Sequence, residues 1–190
     1  MFNHAIGLLV QPTVQWRKVS QLPAATMTTM ILYPCVMALL PADARGSSGF
    51  PNLSDSDWIW GGSPYNIKTS ITNGRMAAMP AWGPMLGDDG VRNTAAYVLS
   101  LSGREVDAEQ AAAGKEKFDM ICAAGHGADG TGNPMLGAPN LANGVWLYGG
   151  DPEQVMSSIR DGRKGVMPAH AEMLGEDKTH IITAYVYSLN

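Results

Sequence analysis

Positive charge is scarce and scattered in this chain. Thirteen Lys and Arg stand against 17 Asp and Glu in 190 residues, for a net charge of −4 and no basic stripe. That balance excludes nucleic acid as a partner, because neutralising phosphates takes clustered cations. Cysteine is scarcer still: Cys35 and Cys122 are too few for a disulfide framework. Phe and Tyr number only 3 and 6. Charged residues make up 16% against 45% hydrophobic, which is a globular rather than a disordered balance. Long apolar runs are nearly missing. Only residues 24–41 qualify, with Arg17 and Lys18 before them and Ala42-Asp43-Ala44 after. That outline matches a secretory signal, although Pro34 and several threonines interrupt it and it is marginal as a membrane span. His4 lies in the unplaced stretch before it. What is plentiful is Gly (22), Pro (12) and Met (12), a loop-rich composition with soft thioethers.

The most informative feature is an internal repeat. The segment from Pro51 to Leu101 registers without a gap on Pro139 to Leu189, at an offset of 88 residues. Trp58 pairs with Trp146, Gly61-Gly62 with Gly149-Gly150, and Gly74-Arg75 with Gly162-Arg163. Met79-Pro80-Ala81 pairs with Met167-Pro168-Ala169. The chain is therefore expected to hold two copies of one small domain. Residues 1–41 form an unplaced segment, 42–103 the first domain, 104–110 a linker and 111–190 the second domain.

Each copy reads as helices joined by loops. Asp151 is the expected N-cap of a helix with Pro152 in first position, Gln154 in capping-box position and Gly162 as the stop. Residues 63–74 repeat that arrangement. Closing helices are expected at about 89–101 and 176–189, where apolar residues recur three and four apart. A further helix over about 109–123 places Gly114, Phe118, Ile121 and Cys122 on one side. No stretch shows clear alternation with period two, so the expected fold class is all-α. Below about 70–80 residues a core supplies only about 3–5 kcal/mol, so copies this small have a structural use for a prosthetic group.

Cys122 and His126 stand four apart, on one face of a helix end. One more cysteine, at Gly125, would complete C-x-x-C-H, the attachment motif of c-type haem. In such a centre a thiol adds to a haem vinyl, an imidazole ligates iron, and a Met thioether from a later loop often completes the axial pair. Met167 fits that last role 41 residues after His126, with Pro168 blocking helical continuation. Met79 occupies the matching place in copy one. Duller readings stand beside these. A lone Cys is commonly a small buried hydrophobe, a Met is commonly core filler, and a Cys/His pair can bind zinc only with further ligands. His170, where copy one has Trp82, is a possible reserve ligand; His180 reads as a surface residue.

The stretches GFPNLSDSDWIWGG, GRMAAMPAWG, AAYVLSLSG, GAPNL, VWLYGG, GVMPAH and AYVYSL together resemble the dihaem cytochrome c subunit (subunit III) of cbb(3)-type cytochrome c oxidase. The resemblance runs from about Ala42 to Asn190. It implies two tandem cytochrome c-like domains in an electron-transfer subunit without its own catalytic centre. The implied partners are the catalytic and monohaem subunits of the oxidase and a soluble or membrane cytochrome donor. The implied place is the periplasmic face of a bacterial inner membrane. For copy two it implies haem c attached at Cys122, with His126 and Met167 as axial ligands and Met135, Leu136, Trp146 and Leu147 around it. For copy one it implies Met79 alone. Neither copy keeps the full motif: alignment sets Val36 opposite Cys122 and Leu40 opposite His126, and Cys35 misses by one place. Copy one is thus expected to be a degenerate site without haem, and copy two a single-thioether haem site. The alternative is a haem-free scaffold that retains the fold. The family's membrane segments are expected to be missing upstream of Ala42, by truncation or a shifted reading frame.

Overall fold

The computed structural model describes residues 44–190. Cys35, Val36, Leu40, His4 and the apolar run 24–41 lie outside the described residues. The element order is α1 (Pro64–Asn73), β1 (Arg75–Met79), α2 (Gly83–Leu101), α3 (Ala108–Lys117), a π-helical turn (Phe118–Cys122), α4 (Ala123–His126), α5 (Pro152–Asp161), β2 (Arg163–Met167) and α6 (Ala171–Tyr187).

The helix signals in the sequence act as expected at several ends. The Asp151 N–H donates to Gln154 Oε1 at 3.1 Å, Pro152 opens α5, and Gly162 ends it with φ +72°. The Asp107 side chain caps α3 by accepting from the Gln110 N–H at 2.8 Å, so the expected linker 104–110 already contains the start of a helix. The closing helices begin earlier than their periodicity suggests. They run from Gly83 and from Ala171 and bend at Gly87 (φ +64°) and Gly175 (φ +69°). These two glycines lie 88 residues apart, and the apolar rhythm restarts after each.

The all-α expectation is corrected in one place. β1 and β2 form a two-stranded antiparallel ribbon in which Arg75 faces Met167, Ala77 faces Gly165, and Met79 faces Arg163. The same five-residue segment of each copy supplies each strand, so the repeat pairs with itself. Residues directly opposite one another project on the same side of such a ribbon. Arg75, Ala77 and Met79 in β1, and Arg163 and Gly165 in β2, are half-buried, while the alternate residues are exposed.

Two compact units are present, and they do not follow the two sequence copies. One combines the described residues up to Ser56, Gly62–Asn73 and Ala169–Asn190; the other combines Asp57–Gly61 and Gly74–Pro168. In the first, α1 of copy one packs on α6 of copy two. Ile67 and Ile71 are buried in α1, and Leu174, Ile182 and Val186 in α6. The buried Thr179 and Thr183 hydroxyls are satisfied by donating to the Gly175 and Thr179 carbonyls at 2.8 and 2.7 Å. In the second, α2 of copy one packs on α3 and α5 of copy two. Its core joins Val91, Ala95, Val98 and Leu99 to Phe118, Cys122, Val155 and Ile159. Phe118 is fully buried and meets Tyr97 edge to face, with ring centroids 5.1 Å apart.

Two hydrogen bonds record the exchange. The Trp82 N–H of copy one donates to the Ile159 carbonyl of copy two at 3.0 Å. The equivalent His170 N–H of copy two donates to the Ile71 carbonyl of copy one at 3.0 Å. Each Met-Pro-Ala segment is therefore bound to the helix of the other copy.

Gly114 permits the close crossing of α3 on α2. A Cβ there would lie 1.9 Å from the Asn93 carbonyl oxygen, so any side chain forces the helices apart. Gly114→Ala is expected to destabilise the chain by about 1–3 kcal/mol, the usual cost of overpacking. Urea unfolding of the two proteins measures it.

Candidate functional site

The site begins where α3 changes its winding. From Phe118 to Cys122 the backbone takes π-helical form, and the Ala123 N–H reaches back to the Phe118 carbonyl. One wide turn of this kind rotates the following residues, a feature common at functional sites. Phe118 is thereby driven into the core, with Cys122 beside it at 9% exposure and His126 one turn further on.

His126 is held at both backbone and ring. Its carbonyl accepts from the Gly132 N–H at 2.7 Å, across a turn tightened by the Asp129 carboxylate, which accepts from the Thr131 N–H and hydroxyl. Its Nδ1 lies 3.0 Å from the Pro139 carbonyl oxygen. A carbonyl only accepts, so Nδ1 carries the proton and Nε2 keeps its lone pair for a metal. Burial lowers the pKa of the imidazole, with the Pro139 hydrogen bond opposing it. The neutral ring, which is the ligating form, is therefore favoured.

A folded-state pKa below the unfolded value means that the unfolded chain binds the proton more readily. Stability from this group is thus complete above about pH 6.5 and lost as pH falls through the lowered folded value. The haem-free protein is expected to lose stability on acidification below that point. His126→Asn should flatten the trend in urea titrations over the same range.

Cys122 is the described free cysteine, and burial pushes its thiol up to about 11. At neutral pH it is a protonated thiol. That disfavours a zinc thiolate. Among the described residues no group of three or more His, Cys, Asp or Glu is placed to hold a metal ion. The zinc reading thus lacks its further ligands.

The two methionines fall in different places. Met79 packs against the cluster that contains Phe118 and Cys122, together with Trp82, Ile121 and Trp146. Its Pro80 and Ala81 press on Gly162 at the end of α5, where a Cβ would come within 2.5 Å of the Met79 carbonyl. Met167 is 38% exposed and is not among the residues packed on that cluster. The register sets Met79 and Met167 four rungs apart on the ribbon, about 13 Å along it. Of the two methionines it is Met79, not Met167, that packs on the cluster containing Cys122. The reason is the antiparallel ribbon, which carries each methionine across to the other copy's helix.

The remaining expected residues divide. Trp146 is half-buried on the cluster, while Leu136 and Met135 are exposed on the loop after His126, at 56% and 87%. Leu147 is half-buried. His170 is half-buried in the other unit with its Nδ1 lacking a hydrogen-bond partner, and His180 is half-buried rather than exposed. Sequence reasoning did not assign the Pro139 carbonyl a part, although its pairing with Pro51 in the repeat marked the position.

The donor set fits a c-type haem held by one thioether. A thiol and a thioether border one apolar cluster, and the neutral imidazole with its free Nε2 stands one turn after the thiol. The position of the second anchor is open as well: no heavy atom lies within 4 Å of a Cβ built on Gly125.

Residues 42–98 and 109–186 match the family described as cytochrome c oxidase, cbb3-type, subunit III. The cbb3-type oxidase subunit CcoP of Rubrivivax gelatinosus is 45% identical over 150 residues, covering 78% of this chain and 49% of that protein. The subunit FixP of Sinorhizobium medicae is 40% identical over 155 residues, covering 77% and 54%. The FixP of Bradyrhizobium diazoefficiens is 34% identical over 213 residues, covering 97% and 73%. That last likeness extends upstream of Ala42, so the similarity does not stop where the motifs suggested. The chain spans about half the length of the first two relatives.

Proposed function

The chain belongs to the subunit III family of cbb3-type cytochrome c oxidases, and we propose that it is a haem-carrying electron relay with one centre, at Cys122 and His126. When bound there, haem supplies an iron that gains and loses one electron without forming a bond to a substrate. Cys122 is the covalent tether. His126, held by the Pro139 carbonyl, would offer its Nε2 as an iron ligand. Met79, packed on the cluster with Cys122, would supply a thioether to the haem iron, and Met167 is its counterpart in the degenerate half. Phe118, Ile121 and Trp146 exclude water from the buried side. The half that would pair with Met167 lacks a motif in sequence and carries no haem in this reading.

The partners that follow are the catalytic and monohaem subunits of a cbb3-type oxidase, and a soluble or membrane cytochrome as donor. The place is the periplasmic face of a bacterial inner membrane. No helix among the described residues is long and apolar enough to cross a membrane.

The single observation that carries this reading is the His126 ring, turned by the Pro139 carbonyl so that its metal-binding nitrogen is unprotonated. The test is the visible spectrum of protein expressed alongside haem-attachment machinery. A sharp Soret band, with α and β bands resolving on reduction, supports the relay. A featureless spectrum would overturn it in favour of a haem-free scaffold.

A further inference from the structure

The degenerate half carries an aromatic residue that reaches into the site of the other half. Trp60 belongs to copy one, yet its half-buried indole lies against Gly137 of copy two. Gly137 is buried with φ +68°, and a Cβ built there would strike the indole at Cζ2 and Cη2. Only glycine admits so close an approach in that conformation. The Arg75 guanidinium sits 4.8 Å from the ring centroid of Trp60, over its face, and holds the indole from the ribbon. All three residues belong to one compact unit.

The turn under Trp60 is stiff, and His126 is bound to both its ends. The Asn133 N–H donates to the Ala138 carbonyl at 2.9 Å, and the Ala138 N–H donates back to the Asn133 carbonyl at 3.1 Å. The Leu136 N–H donates to that same carbonyl at 3.1 Å, and the Asn133 side chain accepts from the Met135 N–H at 3.0 Å. At one end of this turn the Gly132 N–H donates to the His126 carbonyl. At the other, the Pro139 carbonyl meets His126 Nδ1. Pro134, Met135 and Leu136 face solvent, and Trp60 backs the turn at Gly137.

We propose that Trp60 is a positioning residue for His126. By backing the turn at Gly137 it keeps the Pro139 carbonyl on Nδ1, and so leaves the Nε2 lone pair for iron. The inference rests on the haem reading above, and it gives the half without haem a part in the site of the other. Trp60 acts through the turn and makes no bond to iron.

The test is made on the full haem-free chain, by nitrogen-15 NMR of the His126 ring at mildly alkaline pH, where the ring is neutral. Wild type is expected to show a protonated Nδ1 and a bare Nε2. Trp60→Leu should lose the Nδ1–H signal as the proton redistributes to Nε2, and Trp60→Phe, which keeps a flat ring on Gly137, should retain it. A residue that only stabilised the fold would lower the urea midpoint and leave the ring signals of the folded molecules in place. Should Trp60→Leu fail to fold, Gly137→Ala serves instead: it pushes the indole away from the other side, and the same loss is expected. An Nδ1–H signal that persists in the variant would overturn the inference and leave the haem reading standing. A wild-type ring protonated at Nε2 would remove both.

Discussion

Met79→Ala leaves the haem tethered and its proximal side intact but strips the distal sulfur, and the expected result is a large fall in reduction potential. A thioether opposite histidine favours ferrous iron, and axial ligands command a span of roughly 0.8 V in haem proteins. A fall on the order of 0.1 V or more is expected, with altered visible bands as water or no ligand takes the open position. Met167→Ala should change neither. The contrast follows from the packing: Met79 lies on the Phe118–Cys122 cluster, and Met167 lies four rungs away on the ribbon with 38% of its surface exposed. Potentiometric titration of the two variants beside wild type reads the difference. The reverse pattern, with Met167→Ala shifting the potential and Met79→Ala silent, would return the ligand to its own sequence copy.

Gly125→Cys is the second large effect, and it is a gain. A cysteine there completes C-x-x-C-H, and no heavy atom within 4 Å of the new Cβ opposes it. Position 125 also lies within α4, where glycine is less favourable than most residues by up to about 1 kcal/mol. The variant is expected to attach haem through two thioethers and to retain it in a larger fraction of chains. Each thioether takes one vinyl group out of conjugation. The pyridine haemochrome α band should therefore move to shorter wavelength than in wild type. An unmoved band would mean that the second sulfur does not reach its vinyl.

Much of this architecture was legible as sequence. The repeat at an offset of 88 residues marked two related stretches of sequence, which the compact units do not follow, and Asp151, Pro152, Gln154 and Gly162 marked the limits of α5 correctly. The spacing of Cys122 and His126 put both on one helix end, where they are found. Three things were not legible, each for a physical reason. The ribbon strands are only five residues long, too short for alternation to stand out, and Arg-Met-Ala-Ala-Met carries little β-branched signal. Their pairing is a contact between copies, so reading each copy alone assigns Met167 to His126 by order along the chain, whereas the fold crosses the segments over. The π-helical turn at Phe118–Cys122 arises because Phe118 must reach the core against Val91 and Leu99, a demand of packing that no local pattern announces. One clue was available in the repeated Gly-Arg before each Met-Pro-Ala: equal segments related by a two-fold axis pair most simply with themselves, antiparallel.

The proposed electron-relay role depends on covalent capture of haem by a single sulfur. The direct measurement is a haem-stained denaturing gel of wild type beside Cys122→Ala, both expressed with haem-attachment machinery. A stained band at the mass of the chain in wild type, absent from the alanine variant, is the expected result. An unstained wild-type band, or equal staining in both lanes, would contradict it.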